Sequence, residues 1–183
     1  MLTRSICDGV SSPGADAIVG TDAKNDAIMT TIIQAETPDQ IETARALFRE
    51  YEAWLDMDLC FQDFETEVAT LPGKYAEPQG RLLLAYVEGQ TAGCIALREI
   101  DEGICEMKRL FVRDEFRGHR LGLLLVEKVI AEAREAGYRK MRLDTFPPKM
   151  GKAVKLYESH GFREIAPYYN NPHIGVLFME LDL

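Results

Sequence analysis

Three strand candidates follow one another with few residues between them, and this spacing constrains the fold more than any other feature. The candidates cover residues 81–87, 91–100 and 104–112, joined by Glu88-Gly89-Gln90 and Asp101-Glu102-Gly103. Such short, glycine-containing connections are typical of β-hairpins and cannot join neighbouring parallel strands. The sequence therefore predicts an antiparallel meander of three strands.

A helix and a further strand follow the meander, and they add a parallel strand to the antiparallel sheet. Apolar residues recur at helical spacing before Gly137, a residue that favours a helix end: Leu121, Leu125, Val129 and Ala133. Residues 140–145 then form a strand that must lie parallel to residues 104–112, because a crossover helix joins the two. We therefore predict an α/β fold in which a mixed sheet carries helices on its faces.

The remaining segments complete a single domain. Residues 31–35 are a strand candidate, and Thr37-Pro38-Asp39-Gln40 has the pattern of a helix start. Residues 61–71 form a second amphipathic stretch, and a later helix at 152–160 precedes a strand from Phe162 and a last strand at 175–182. Residues 1–28 are rich in Gly, Ser, Ala and Asp without sustained periodicity, which predicts a flexible N-terminal extension before a domain spanning residues 29–183.

Composition limits the classes of partner. The 183 residues include 21 Lys and Arg against 30 Asp and Glu, a net charge of −9. That balance argues against nucleic acid or an anionic membrane as the main partner, because phosphate groups are bound through an excess of basic residues. The sequence also shows neither a secretory signal nor an apolar run of membrane-spanning length, so we expect a cytoplasmic protein.

Cysteines and histidines give no sign of a metal site. The four cysteines lack a CxxC pair, and Cys94 and Cys105 fall in predicted core strands, where they are expected to pack as small apolar side chains. The three histidines are widely separated in the sequence. We therefore expect no metal.

The segment Arg117-Gly118-His119-Arg120-Leu121-Gly122 lies between a predicted strand and a predicted helix. A glycine loop at a helix N-terminus presents backbone N–H groups and a positive dipole end, which suit a pyrophosphate. The glycines alone are equally compatible with a tight turn that packs closely. The segment matches neither GxGxxG nor GxxxxGK[ST], which weakens nucleotide binding as an interpretation.

Three segments together are similar to the GNAT superfamily of N-acetyltransferases. They are residues 105–112 (CEMKRLFV), residues 117–122 (RGHRLG) and residues 153–162 (AVKLYESHGF). The family's loop pattern is Gln or Arg, two residues, Gly, one residue, then Gly or Ala, and its later motif is Ala-x-x-Leu-Tyr followed by Gly-Phe. Arg120 replaces the middle glycine, and Met150 stands where an asparagine often precedes the later motif.

The resemblance implies an acetyl-CoA site in a cleft where the strands ending at Val112 and Thr145 splay apart. In relatives the backbone of the first strand, here Leu110, Phe111 and Val112, pairs with the pantetheine arm. Amides of the loop hold the pyrophosphate, here those of residues 117–122: Arg117, Gly118, His119, Arg120, Leu121 and Gly122. Lys152 and Lys155 are candidates for phosphate contacts, the alternative being a solvated helix face.

Tyr157 occupies the position of the family's usual general acid. A phenol beside the thioester sulfur can protonate the CoA thiolate as it leaves, although Tyr157 could also serve as a packing residue. Glu106 is the candidate base, because strand alternation without a bulge would place Glu106, Lys108, Leu110 and Val112 on one face toward the cleft. The alternative for Glu106 is a cross-strand ion pair with a lysine or arginine.

The acceptor site has two candidate walls. Tyr51 and Trp54, near Asp56 and Asp58, form one, where acidic groups would attract a cationic amine. Tyr168 and His173 lie in a polar aromatic loop that either borders the acceptor or is an ordinary surface loop. The sequence thus predicts direct transfer of an acetyl group from acetyl-CoA to a primary amine, on a small molecule or a protein, with a non-catalytic acyl-CoA-binding module as the alternative. Sheet-edge pairing or strand exchange would make a homodimer, for which the sequence carries no signature.

Overall fold

The computed structural model describes residues 17–19 and 29–183, which form one sheet flanked by helices. Within that part of the chain the strands are β1 (Ala17–Val19), β2 (Met29–Gln34), β3 (Arg81–Val87), β4 (Gln90–Asp101), β5 (Ile104–Val112), β6 (Lys140–Thr145), β7 (Arg163–Glu164) and β8 (Leu177–Asp182). The α-helices are α1 (Pro38–Leu55), α2 (Phe64–Ala69), α3 (Leu121–Glu135) and α4 (Pro147–Ser159). Over the same residues, no helix has the length and apolar character needed to cross a membrane.

The order of strands in the sheet is β1-β2-β3-β4-β5-β6-β8-β7. β3, β4 and β5 form the predicted antiparallel meander, and β6 lies parallel to β5 after the α3 crossover, also as predicted. β8 inserts between β6 and the two-residue strand β7, and it is antiparallel to both. Of the extension predicted over residues 1–28, the structure describes only Ala17–Val19, paired with β2, so that prediction stays a prediction.

Local sequence signals fix the start of α1 but not every helix boundary. Thr37 and Gln40 form a reciprocal capping box, with Pro38 at the first helical position. α2 is shorter than the predicted amphipathic stretch, which begins instead with a 3-10 turn at Cys60–Gln62. α4 begins at Pro147, ahead of the predicted residue 152, because a helical first turn precedes a kink at Met150.

The sheet separates two apolar cores. On one face α1 and α2 pack against β3, β4 and β5 through residues that include Phe48, Phe64 and Phe111. On the other face α3 and α4 cover the sheet with residues that include Leu125, Val129 and Tyr157. Helices therefore cover both faces, and the edges of β5 and β6 lie between the two cores.

β5 and β6 pair only along part of their length. Their parallel register runs from Ile104 to Glu106, opposite residues 140–142. Beyond Glu106, a bulge interrupts β5 at Arg109, whose φ is 58°, and the β4 register shifts between Cys94 and Ala96. The two strands separate past this point and leave an opening in the sheet.

The bulge corrects the predicted alternation of β5. Glu106, Lys108, Leu110 and Val112 do not share one face. The extra residue between Lys108 and Phe111 inverts the alternation, so that Leu110 and Val112 lie on the face opposite to Glu106 and Lys108. Leu110 and Val112 pack against the α3 core, whereas Phe111 packs in the α1–α2 core. Leu110 therefore approaches the opening from the face opposite to Phe111.

Candidate active site

The opening between β5 and β6 is a lined cleft, referred to below as the cleft. β5 contributes residues 107–110 and β6 contributes residues 143–145. Side chains from both faces complete it, including Tyr51 from α1, Met150 and Tyr157 from α4, and His173 from the loop before β8. The cleft thus joins the α1–α2 face to the α4 face through the sheet.

Backbone groups border the cleft where strand pairing stops. The register between β5 and β6 includes three residue pairs and ends at Glu106 and Arg142. From there to the strand ends, the facing backbone edges have no partner strand among the described residues. Such edges can pair with the amides of an extended ligand, as a peptide does when it adds to a sheet. The predicted contacts of Leu110, Phe111 and Val112 with a pantetheine arm fit this edge, although the Val112 carbonyl also accepts a bond from Arg117 Nε at 3.2 Å.

The loop before α3 is open rather than closely packed. Gly118 has a φ of +96°, and a Cβ built on Gly118 or Gly122 would meet no protein atom within 4 Å. Arg120 precedes the helix in the left-handed region, and no side chain caps the first turn of α3. The first N–H groups of α3 are therefore free to meet a ligand.

Side chains around this loop divide into exposed cations and one buried anchor. Arg117, His119 and Arg120 are exposed, whereas Leu121 is buried in the α3 core and can offer only its backbone N–H. The Arg117 guanidinium lies over the Trp54 ring at 5.2 Å and pairs with Asp114. Lys152 and Lys155 are exposed on α4. The exposed position of the two lysines agrees with the solvated-face alternative as well as with a phosphate contact.

Tyr157 lies inside the cleft and is 3% exposed. Burial raises the pKa of its phenol above the usual value, and the nearby Tyr51 and Asp144 add to the rise. The hydroxyl therefore stays protonated across the physiological range. A phenol that keeps its proton in the cleft is compatible with the predicted general acid, a role that stays a prediction.

Glu106 is engaged elsewhere and does not line the cleft. Its Oε2 accepts hydrogen bonds from Arg98 at 2.8 and 2.7 Å, and its Oε1 accepts one from the Tyr168 hydroxyl at 2.7 Å. Arg98 is its cross-strand partner on β4, so the structure shows the ion pair that was the alternative for this residue. The role of Glu106 as a base remains a prediction.

Three polar cleft residues were given no role from the sequence. Lys108, which strand alternation did place toward the cleft, is buried, with Nζ 3.5 Å from Asp144 Oδ1, and both residues line the cleft. Gln62 also lines it, and its Oε1 is buried without a hydrogen-bond partner among the described residues. Nothing in the sequence indicated that Asp144 and Gln62 would lie in the same cleft as Lys108.

Two of the four predicted acceptor residues lie in the cleft. Tyr51 and His173 line it, and His173 Nε2 lies 2.7 Å from the Asp58 carbonyl oxygen. Trp54 and Tyr168 lie outside it: Trp54 packs against Tyr51, Phe111 and Arg117, and the Tyr168 hydroxyl donates to Glu106. The role of all four residues in acceptor binding stays a prediction.

Cysteine chemistry is disfavoured at this site. Cys94 and Cys105 are buried, and burial raises the pKa of both thiols, that of Cys105 to about 12. Neither residue lines the cleft. Within the described residues no group of three or more His, Cys, Asp or Glu side chains is arranged to hold a metal ion.

Comparison with known proteins identifies the family. The model of the Acetyltransferase (GNAT) family matches residues 41–162. An uncharacterized N-acetyltransferase of Schizosaccharomyces pombe is 41% identical, over 84% of this chain and 94% of that protein. The chain therefore belongs to the GNAT family of N-acetyltransferases.

Solved structures agree with this assignment. An acetyltransferase from Streptococcus agalactiae superposes with a TM-score of 0.69 at 25% identity, over 84% of this chain and 98% of that one. The fold also matches that of yncA, a putative acetyltransferase from Salmonella typhimurium solved with its cofactor acetyl-CoA. That likeness has a TM-score of 0.62 at 20% identity and covers 84% of this chain and 93% of the other.

Proposed function

We propose that this protein transfers an acetyl group from acetyl-CoA to a primary amine by direct attack in a ternary complex. One observation carries the proposal: an uncapped helix N-terminus, an unpaired backbone edge and a buried phenol are arranged around one opening in the sheet. These are the parts needed for a pyrophosphate, an extended pantetheine arm and a departing thiolate. The acetyl-CoA bound to the Salmonella protein of the same fold supports the choice of donor.

In the proposed reaction the amine nitrogen forms a bond to the thioester carbonyl carbon while the C–S bond breaks. The proton lost by the amine passes to a base, and the Tyr157 hydroxyl gives its proton to the thiolate. Direct transfer is favoured over an acyl-cysteine route because the buried thiols of Cys94 and Cys105 are outside the cleft and have raised pKa values. Asp144 lines the cleft and Glu106 lies behind it, so these two carboxylates are the candidate bases.

Release of free CoA tests the function. Purified protein is incubated with acetyl-CoA and a panel of primary amines, and thiol release is compared with the amine-free rate. Amine-dependent release together with an acetylated product is the expected result. Binding of acetyl-CoA without release by any amine would instead indicate the non-catalytic binding module. Glu106→Gln and Asp144→Asn, compared for the pH dependence of the rate, then assign the base, since the true base carries the acidic limb of the profile.

A further inference from the structure

Lys108 carries a buried charge with unusually weak hydrogen bonding. Its side chain is 4% exposed, and Nζ lies 3.5 Å from Asp144 Oδ1 and 3.9 Å from Glu106 Oε1. N–H···O hydrogen bonds are normally about 2.7–3.2 Å long, so neither contact is a strong one. Glu106 is already neutralised by Arg98 at 2.7 Å. The Lys108 ammonium therefore lies at the cleft and can donate further hydrogen bonds to a ligand.

The Asp144 carboxylate, opposite Lys108, also has acceptor capacity left. Its side chain is 15% exposed, Oδ2 is 3.5 Å from Asn171 Nδ2, and the Tyr169 hydroxyl hydrogen-bonds to the carboxylate. Lys108 and Asp144 thus form a pair of opposite charges, 3.5 Å apart, in the cleft. Gln62 adds a buried Oε1 that lacks a partner among the described residues. An unsatisfied buried acceptor is destabilising unless a donor reaches it, so a ligand N–H is the natural partner.

The other walls of the cleft on the α1–α2 side are apolar. Met57, Leu59 and Phe61, which follow α1, line it together with Val176, which precedes β8. The Lys108–Asp144 pair therefore suits an anion and a cation held close together, while the apolar walls suit a hydrocarbon side chain. A simple alkylamine would use only Asp144 and the apolar walls, and it would leave Lys108 without a short hydrogen bond.

We propose that the acceptor is a free α-amino acid with an apolar side chain, an inference that rests on the function proposed above. Its carboxylate bonds to Lys108, and its amine lies against Asp144 with an N–H toward Gln62 Oε1. In an α-amino acid a single carbon atom separates the two charged groups, which matches the 3.5 Å spacing of Lys108 and Asp144. This arrangement places the amine in the cleft that also contains Tyr157.

Matched acceptors test the proposal on the wild-type protein. Leucine, leucinamide and 3-methylbutylamine share one side chain and differ only in the group beside the amine. We expect kcat/KM for leucine to exceed that for either of the others by at least about tenfold, because a hydrogen bond to a charged group is worth about 1.5–3 kcal/mol. The less basic amine of leucinamide would favour the amide on chemistry alone, so a preference for leucine must come from recognition.

Lys108→Met tests the residue, with Lys140→Met as its matched control. Lys140 is a lysine of β6 that is 41% exposed and pairs with Glu180 outside the cleft. The preference for leucine over leucinamide should collapse at least about tenfold in Lys108→Met and persist in Lys140→Met. Circular dichroism checks that each variant is folded. If Lys108→Met does not fold, the comparison of the three acceptors on the wild-type protein still decides whether the acceptor is an amino acid.

The outcomes separate this inference from the proposed function. Equal or faster acetylation of leucinamide and 3-methylbutylamine would overturn the amino acid as acceptor while leaving the acetyltransferase function intact. A preference for leucinamide alone would favour the N-terminus of a peptide. Absence of amine-dependent CoA release with every acceptor would overturn both proposals.

Discussion

Tyr157 has surroundings that suit an acid better than a base. It is 3% exposed, and its ring packs 5.7 Å from that of Phe162. Burial disfavours the phenolate, and the carboxylate of Asp144 disfavours it further, so both effects raise the pKa of the phenol. A group that holds its proton in this way can give it to a thiolate, whose conjugate acid has a pKa of about 8.5.

Tyr157→Phe should therefore lower turnover without disturbing donor binding. The substitution removes one hydroxyl from a cleft wall and keeps the ring packing, so we expect kcat to fall at least about tenfold, within the range of general acid catalysis. Steady-state kinetics give kcat, and isothermal titration with acetyl-CoA should give a dissociation constant within about threefold of the wild-type value. Unchanged turnover would leave Tyr157 with a packing role only.

Single residues show where sequence analysis succeeds and where it fails. The place of Tyr157 in the cleft could be expected because its motif is local, with Ala153, Leu156 and Gly161 at fixed spacing, while its role as an acid stays a prediction. Glu106 was assigned to the cleft by alternation, but it lies where β5 still pairs with β6. The bulge at Arg109 changes the face of the residues after it, and an arginine at a φ of 58° has no recognisable local signal. The contact of Lys108 with Asp144 joins residues on neighbouring strands, which no local pattern reveals.

At the scale of elements, one buried ion pair ties α2 to the bulge of β5. The Arg109 guanidinium donates to both carboxylate oxygens of Glu67, at 2.8 and 2.7 Å, and the two side chains are 2% and 10% exposed. Burial alone would raise the pKa of Glu67, but its hydrogen bonds and the charge of Arg109 outweigh burial and lower it. The pair thereby fixes the backbone conformation that opens the cleft.

Glu67→Gln should destabilise the fold by about 3 kcal/mol, because it leaves the Arg109 charge buried without compensation. The matched control is Glu65→Gln, which breaks a solvent-exposed pair with Arg49 and should cost much less stability, because surface ion pairs are weak. Urea unfolding of the three proteins measures both effects. Because the folded-state pKa of Glu67 is lowered, its contribution is present above about pH 4.5, the ordinary value, and is lost as pH falls through the folded-state pKa. Equal losses in the two variants would contradict this account.

The loop and first turn of α3 form a second functional element. Asp at the second position of a helix stabilises it by about 0.3–1 kcal/mol through the dipole, and nothing lies within 4 Å of a Cβ at Gly122. Gly122→Asp should therefore keep or raise the melting temperature of the free protein. The same carboxylate should repel a pyrophosphate and weaken acetyl-CoA binding at least about tenfold. Titration calorimetry on Gly122→Asp and the control Gly122→Ala separates the two effects, and equal affinity in both would argue against an anion site here.

Elements with local signals were predicted well. The glycine connections fixed the order of β3, β4 and β5, and the helical spacing of apolar residues located α3. Two features depended on long-range packing and were missed: the insertion of β8 between β6 and β7, and the start of α4 ahead of the kink at Met150. The cleft between β5 and β6 was expected only from the family resemblance, because the bulge at Arg109, past which the two strands separate, has no local signal in the sequence.

At the scale of the whole molecule, the cleft divides the sheet into two parts. β1 to β5 lie on one side, and β6, β8 and β7 lie on the other, with three paired residues joining β5 to β6. Contacts between helices on the two sides add to these three strand pairs. One is the hydrogen bond that Lys149 Nζ of α4 donates to the Leu55 carbonyl at the end of α1, at 2.5 Å. A ligand that pairs with both free edges would replace the missing strand contacts and hold the two parts together.

Binding of acetyl-CoA should therefore stabilise the entire fold. Ligand at about 100 times its dissociation constant adds about 2.7 kcal/mol, which for a chain of this length raises the melting temperature by about 5–11 °C. ATP and NAD serve as controls for nonspecific phosphate binding and should produce little change, because neither carries a pantetheine arm for the strand edges. Hydrogen exchange of the same complex should show new protection in β5 beyond Glu106, where the register with β6 ends. A temperature shift equal to that with ATP, or protection limited to the loop before α3, would mean that the phosphates bind while the cleft remains empty, and the proposed position of the thioester beside Tyr157 would then be wrong.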